Sequence, residues 1–202
     1  MRLYGFSHAQ AAGGVPGLDA RVDAMAALIT GAFNEGAEAN EVLVVGHSTG
    51  ATLAASALSR ALARSPELGR RRPQLGLLTL GHCLPLVYGF ATAHALRAEL
   101  DALTAHEQLT WVDYTAPADW AGCGRISPWL HKGRALLHRL SPRFPKILDP
   151  ARYQALRRNR LAMHMQYLKP VDRAGHYDLL ALTAGGPTLR DRHPPRPTPP
   201  AA

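Results

Sequence analysis

The sequence predicts an α/β protein, a three-layer sandwich built on a mostly parallel sheet. Four short apolar runs are typical of buried strands, and helical patterns alternate with them along the chain. Alternating strands and helices favour a parallel sheet with helices packed on its faces. With 202 residues, 47% of them hydrophobic, the chain is long enough for one well-packed domain.

Each predicted strand is a continuous apolar run, and each predicted helix has a start signal or an apolar face. The strands are residues 42–45, 75–80, 109–114 and 163–168. The first helix is capped by Asp19 and stops at Gly36. Further helices cover residues 50–64 and 91–103, one begins at Asp149 and Pro150, and one covers residues 177–183.

We expect one domain over residues 1–185. Residues 122–148 interrupt the alternation of strands and helices, contain prolines and basic residues, and have no acidic residue. They predict either a lid or surface-binding flap, or a solvated insertion. Residues 186–202 end in a proline-rich stretch without periodicity, so we expect a disordered tail.

Positive charge is concentrated in the C-terminal part. Residues 120–202 carry 15 Lys and Arg against 4 Asp and Glu, whereas residues 1–119 carry 8 against 11. A basic face attracts anionic surfaces such as membranes, although it is also consistent with an arginine-rich solvated surface. No basic motif with interleaved aromatic residues is present, so we expect no nucleic-acid partner.

The two cysteines, Cys83 and Cys123, have no metal-ligand spacing and do not form a disulfide framework. The N-terminal residues lack the apolar segment of a secretory signal. The uncharged stretch from Gln74 to Arg97 contains glycines, a proline and histidines, which favour a buried strand and loop over a membrane span. We therefore expect a cytoplasmic protein, with peripheral membrane association as the alternative.

The motif Gly46-His47-Ser48-Thr49-Gly50 directly follows the first apolar strand. It fits G-x-S-x-G, a sharp turn that lifts a serine hydroxyl to the top of a sheet between a strand and a helix. Glycines suit such a turn because a Cβ would clash where backbone approaches backbone. The helix that follows opens with small residues, which permit close packing behind the turn.

On these residues the sequence resembles the α/β-hydrolase superfamily, over about residues 19–185. The resemblance implies the chain order serine, acid, histidine for a catalytic triad. The acid position corresponds to Asp119, in the loop after the third strand, with Asp113 as the alternative. The base position corresponds to His176, in the loop before the last helix, with His164 as the alternative.

The resemblance implies a serine hydrolase that cleaves an ester or thioester, a small-molecule acyl substrate, through an acyl-enzyme. The backbone N–H of Thr49 would be one oxyanion donor. His47 and His82 would lie beside the pocket, shaping it or satisfying local hydrogen bonds. No metal-ligand spacing and no phosphate-binding or dinucleotide motif is present, so we expect neither a metal nor a cofactor.

The sequence departs from this family before the nucleophile. Only 47 residues precede Ser48, too few for the strands that the family places there. We expect either a fragment or a reduced hydrolase whose second oxyanion donor comes from elsewhere. We also expect an exposed sheet edge or apolar patch that favours self-association. The alternative function is a non-catalytic hydrolase-like module that binds a partner or an anionic membrane through its basic C-terminal half.

Overall fold

Four parallel strands form the central sheet of this protein. The computed structural model describes residues 2–35, 38–123 and 136–194, so the expected helix stop at Gly36 and the core of the expected lid lie outside the described residues. The strands are β1 (Glu41–His47), β2 (Gln74–Leu80), β3 (Leu109–Tyr114) and β4 (Leu136–Leu140). They lie side by side in the order in which they occur in the chain, and each neighbouring pair is parallel.

Ten helices surround this sheet in the described part of the chain. They are α1 (Arg2–Ala11), α2 (Leu18–Glu35), α3 (Gly50–Arg64), α4 (Leu84–Tyr88), α5 (His94–Ala105), α6 (Phe144–Ile147), α7 (Pro150–Arg158), α8 (Arg160–His164), α9 (Leu179–Ala184) and α10 (Leu189–Arg192), with a 3-10 turn at Met165–Leu168 directly after α8. None of them combines the length and the apolar composition needed to cross a bilayer.

Both faces of the central strands β2 and β3 are buried, as expected for a three-layer α/β fold. Along β2, Leu75 and Leu77 belong to a core cluster with residues of α3 and α5, whereas Leu78 and Leu80 belong to a second cluster with Phe144. Successive strand residues point to opposite faces, so two helical layers are needed to cover them. The predicted fold class is confirmed.

The strand register brings the carboxyl ends of the strands to one edge. His47 at the end of β1 lies opposite Leu80 of β2, which lies opposite Tyr114 of β3, which lies opposite Leu140 of β4. The loops that follow β1, β2 and β3 therefore begin side by side. In open parallel sheets this edge is where ligands usually bind.

The predicted strand at residues 163–168 is wrong. The chain forms α8 and the 3-10 turn there, and Asn159 caps α8 by accepting a hydrogen bond from the Ala162 N–H at 3.0 Å. The segment lacks β-branched residues, and its buried positions Met163, Gln166 and Tyr167 follow helical spacing. An apolar run this short fits a strand and a buried helix equally well by periodicity alone.

The fourth strand lies instead in the region expected to be a lid. Residues 136–140 pair with β3 over five positions. Elsewhere in that region, residues 144–147 form α6. Residues 124–135 lie outside the described residues. Part of the expected lid is therefore an integral strand of the sheet.

The start of the expected disordered tail is also structured. Thr188 caps α10 in a capping box with Asp191, and its hydroxyl also donates to Gln74 at 3.0 Å. Leu189 is fully buried, and its N–H donates to the Glu41 carboxylate at 2.9 Å. Residues 186–194 thus belong to the folded unit, and residues 195–202 lie outside the described residues.

Among the described strands, β1 forms one end of the sheet and carries an apolar groove. The groove has a volume of about 450 Å³ and lies between β1, α2 and α3, with Met25, Leu28 and Val45 in its lining. An exposed strand edge can pair with another chain. Self-association through this edge remains a prediction.

Replacing Asn159 with Ala tests the helical structure of α8. We expect a loss of about 1 kcal/mol in the free energy of unfolding, because the N-cap bond to Ala162 disappears. Asn159→Asp is the matched control and should unfold like wild type, since a carboxylate caps equally well. Urea denaturation measures both, and an unchanged Asn159→Ala would contradict the cap.

Candidate functional site

Ser48 occupies a strained turn between β1 and α3. Its φ is +57°, in the left-handed region that costs a residue other than glycine about 1–3 kcal/mol. The Ser48 N–H donates to the Leu80 carbonyl at 2.9 Å, which ties the turn to the end of β2. The turn predicted from Gly46-His47-Ser48-Thr49-Gly50 is present, and the serine side chain is only half-buried.

The two glycines of the motif have unequal roles. A Cβ on Gly46 would lie 2.5 Å from the Ala51 Cα and 2.8 Å from the Gly50 carbonyl oxygen, so only glycine fits there. A Cβ on Gly50 would meet nothing within 4 Å. The steric argument from the sequence therefore holds for Gly46 alone.

His164 joins Ser48 to Asp119. Its Nε2 lies 2.8 Å from the Ser48 Oγ, and its Nδ1 lies 2.9 and 3.0 Å from the two Asp119 carboxylate oxygens. Since Asp119 accepts from Nδ1–H, Nε2 is left to accept from the serine hydroxyl. The structure thus brings together Ser48, the preferred acid and the alternative histidine.

Asp119 lies in the β3 loop, as the sequence predicted, and is almost fully buried. Its Oδ1 also accepts from the Ala121 N–H at 3.1 Å. Burial acts to raise the pKa of Asp119, but the hydrogen bond and charge of His164, together with bonds from Ala121 and Tyr167, lower it below its ordinary value. Asp119 is therefore ionised at neutral pH.

Tyr167 hydrogen-bonds both to this carboxylate and to the backbone of the same loop. Its hydroxyl oxygen accepts the Ala116 N–H at 2.7 Å and hydrogen-bonds to the Asp119 carboxylate. A carboxylate offers only acceptors, so the tyrosine proton points to Asp119. The strand predicted at residues 163–168 gives Tyr167 no such role.

His47 contacts the backbone of the histidine that reaches Ser48. Its Nε2–H donates to the His164 carbonyl at 2.9 Å, and the two rings lie 4.7 Å apart. Burial lowers the pKa of His47, outweighing the hydrogen bond to His164 that acts to raise it. His47 is thus neutral at pH 7 and fixes the position of α8 relative to the turn.

The alternative acid, Asp113, belongs to a different buried cluster. Its Oδ1 accepts from Thr79 at 3.1 Å, and its Oδ2 lies 3.3 Å from His82 Nε2. His82 is 1% exposed, so it lies beneath the site and does not line an open pocket as expected. Its carbonyl accepts from the Cys123 N–H at 2.9 Å, which ties it to the end of the Asp119 loop.

His176 does not take the position predicted for the base. Its exposed ring contacts the Ser141 carbonyl at 3.1 Å, and its own carbonyl accepts from the Tyr114 hydroxyl at 2.8 Å. The histidine at hydrogen-bonding distance from Ser48 is His164. The sequence favoured His176 because it predicts a strand at residues 163–168, where a histidine would be a core residue.

Cys83 is a neighbour of Ser48 that sequence reasoning missed. It hydrogen-bonds with Ser48, and its Sγ contacts the Ala121 carbonyl at 3.4 Å. Burial, together with the nearby Cys123 thiol, raises the pKa of Cys83 to about 11. Cys83 is therefore a neutral thiol at pH 7 and a poor nucleophile beside the serine.

The N-terminus of α3 adjoins the serine. Thr49 immediately precedes this 15-residue helix, so its backbone N–H lies at the positive end of the helix dipole, next to Ser48. This is the position expected for an oxyanion donor. Within the described ranges, no group of three or more His, Cys, Asp or Glu side chains could hold a metal ion.

Comparison with known proteins found no match to this chain among protein-family models, curated proteins or solved structures.

Gly46→Ala should destabilise the protein by about 3 kcal/mol or more, because its Cβ would overlap backbone atoms that cannot move separately from the turn. Gly50→Ala is the matched control and should stay within about 1 kcal/mol of wild type. Urea denaturation measures both. Equal effects at the two positions would contradict the tight approach at Gly46.

The depressed pKa of Asp119 predicts a pH-dependent stability. Its carboxyl titrates at about 3.9 in the unfolded chain, so the stabilisation is complete above that pH and is lost as pH falls through the lower folded-state pKa. At about pH 7 we expect Asp119→Asn to be less stable than wild type, with a difference that shrinks on acidification below about pH 4. Urea denaturation over a pH series measures it, and a difference that grows on acidification would contradict the shift.

Proposed function

We propose that this protein is a serine hydrolase in which Ser48 is the nucleophile, His164 the general base and Asp119 the acid. The continuous hydrogen-bonded path from the Ser48 hydroxyl through His164 to the Asp119 carboxylate carries this proposal. The turn that exposes Ser48 and the chain order of the three residues support it, because both agree with the resemblance to α/β-hydrolases.

In this mechanism His164 Nε2 removes the hydroxyl proton as Ser48 Oγ attacks an acyl carbonyl. The imidazolium that forms is stabilised by Asp119, which also keeps the proton on Nδ1. His164 then gives its proton to the leaving alcohol or thiol, and an acyl-serine remains. Water attacks this ester with His164 again as base, which releases the acid and restores the serine.

Negative charge on the carbonyl oxygen would be stabilised at the N-terminus of α3. Thr49 N–H is the proposed donor, and the dipole of α3 adds to it. The buried supports of the site, Tyr167 against Asp119 and His47 against the His164 backbone, hold the reacting groups without reorganisation. The proposed substrate is an ester or thioester with an apolar acyl part.

Labelling with a fluorophosphonate probe tests the nucleophile and the base. We expect wild type to be labelled, Ser48→Ala to be unlabelled, and His164→Ala to be labelled at least about 100-fold more slowly, since the serine loses its base. Gel fluorescence over time gives the rates.

His176→Gln is the control that separates the two histidines. It should be labelled within about twofold of wild type, because its ring contacts Ser141 instead of Ser48. No labelling of folded wild type, or equal labelling of Ser48→Ala, would refute the proposed function. Loss of labelling in His176→Gln with retention in His164→Ala would refute the assigned base.

A further inference from the structure

The segment that provides His164 is strongly basic. Between Asp149 and Asp172 the chain has five Lys and Arg residues and no Asp or Glu. Arg152 is paired with Asp172 at 2.6 Å. The other four, Arg157, Arg158, Arg160 and Lys169, are exposed and have no ion pair within residues 2–35, 38–123 and 136–194. Their charge is therefore uncompensated next to the site.

Large apolar side chains are exposed on the same segment. Leu161 is 67% exposed and Leu168 is 43% exposed, whereas Met163 and Tyr167 between them are buried. The two leucines are seven positions apart, about two helical turns, so they project from the same side of the segment. His164 lies between them and turns inward to Ser48.

A third large apolar side chain, Trp120, is exposed in the loop that carries Asp119. It is 61% exposed and follows Asp119, whose carboxylate contacts His164 at 2.9 Å. Leu161 and Leu168 are three and four positions from His164 in the chain, and Trp120 is next to Asp119. Because His164 and Asp119 contact each other, all three exposed apolar residues lie close in sequence to the same hydrogen-bonded pair. Single exposed apolar residues need no explanation, but a group of them around a reactive serine does.

Leucine and tryptophan beside uncompensated arginines fit an anionic lipid surface. Arginines are attracted to phosphate headgroups, while leucine and tryptophan side chains enter the boundary between headgroups and acyl chains. Nucleic acid would use the charge alone and would leave the leucines in water. A lipid bilayer is the partner that satisfies both sets of side chains.

We propose that these residues form a lipid-docking rim around the Ser48 site and that the rim binds anionic phospholipid bilayers. The rim consists of Trp120, Arg157, Arg158, Arg160, Leu161 and Leu168. On the bilayer, the ester group of a membrane-borne lipid would meet the half-buried Ser48. This last step rests on the proposed hydrolase function, whereas binding to the bilayer does not.

Vesicle sedimentation tests the rim. We expect wild type to bind vesicles of equal parts phosphatidylcholine and phosphatidylglycerol, and to be released at roughly 1 M NaCl, where charges are screened. Vesicles of phosphatidylcholine alone should bind it far more weakly. Ser48→Ala should bind the vesicles like wild type. Fluorophosphonate labelling without vesicles reports only on the nucleophile, so the docking proposal and the proposed function can fail separately.

Two sets of substitutions test the two parts of the rim. Replacing Arg157, Arg158 and Arg160 with Gln should weaken binding to the anionic vesicles about 100-fold, because each cation near the surface contributes about a factor of five. The control replaces Arg70, Arg71 and Arg72 with Gln. These precede β2, at the opposite end of the strands from Ser48, and should leave binding within about twofold.

The apolar part is tested by replacing Leu161 and Leu168 with Ser, which should weaken binding at least about tenfold. The control replaces Leu28 of α2 and Leu180 of α9 with Ser. These leucines are 73% and 65% exposed, and this variant should bind like wild type. Circular dichroism confirms that every variant is folded.

Equal losses of vesicle binding in the rim variants and in their controls would refute the docking proposal. It is also refuted if wild type does not bind the anionic vesicles at low salt, or if it binds a single-stranded oligonucleotide but no vesicle. A stable dimer that is dissolved by the Leu161 and Leu168 substitutions would assign the surface to a second copy of the chain and would refute it as well.

Discussion

The close approach of Gly46 to Ala51 is the constraint on which the site depends. With no side chain at this position, the first turn of α3 can pack against the end of β1, and Ser48 is held with a positive φ between them. The hydrogen bond from the Ser48 N–H to Leu80 then fixes the turn to the neighbouring strand. A longer connection would leave the hydroxyl free to rotate away from its partners. The strain at Ser48 persists because the surrounding packing determines the backbone at this point.

The helical segment at residues 160–168 provides both the histidine that contacts Ser48 and the tyrosine that contacts Asp119. α8 places His164 against Ser48, and the 3-10 turn that follows places Tyr167 against Asp119. His47, from the other side of the site, holds the backbone of this segment through the His164 carbonyl. His164, which contacts Ser48, and Tyr167, which contacts Asp119, are therefore only three positions apart. A displacement of α8 would disturb the hydrogen bonds of His164 to Ser48 and to Asp119 together.

The polar groups beneath the site divide into two clusters with different roles. Asp119 contacts His164 and is part of the path to Ser48, whereas Asp113 is enclosed with Thr79 and His82 between the strand ends. Backbone bonds link the clusters, because the His82 carbonyl accepts from Cys123 at the end of the Asp119 loop. The Asp113 cluster thus supports the loop that carries Asp119. Two buried carboxylates at one sheet edge remain compatible because each has its own donors.

Local patterns in the sequence determined the strands β1 to β3, the helix α3, the start of α7, the serine turn and the loop with Asp119. Each of these follows from residues close together in the chain: an apolar run, glycines at a turn, or Asp149 before Pro150 at the start of α7. The sequence did not determine which histidine reaches Ser48. That contact spans 116 positions, and it depends on whether residues 163–168 form a strand or a helix. A short apolar run is compatible with both, so only packing against Ser48, Asp119 and the sheet decided it.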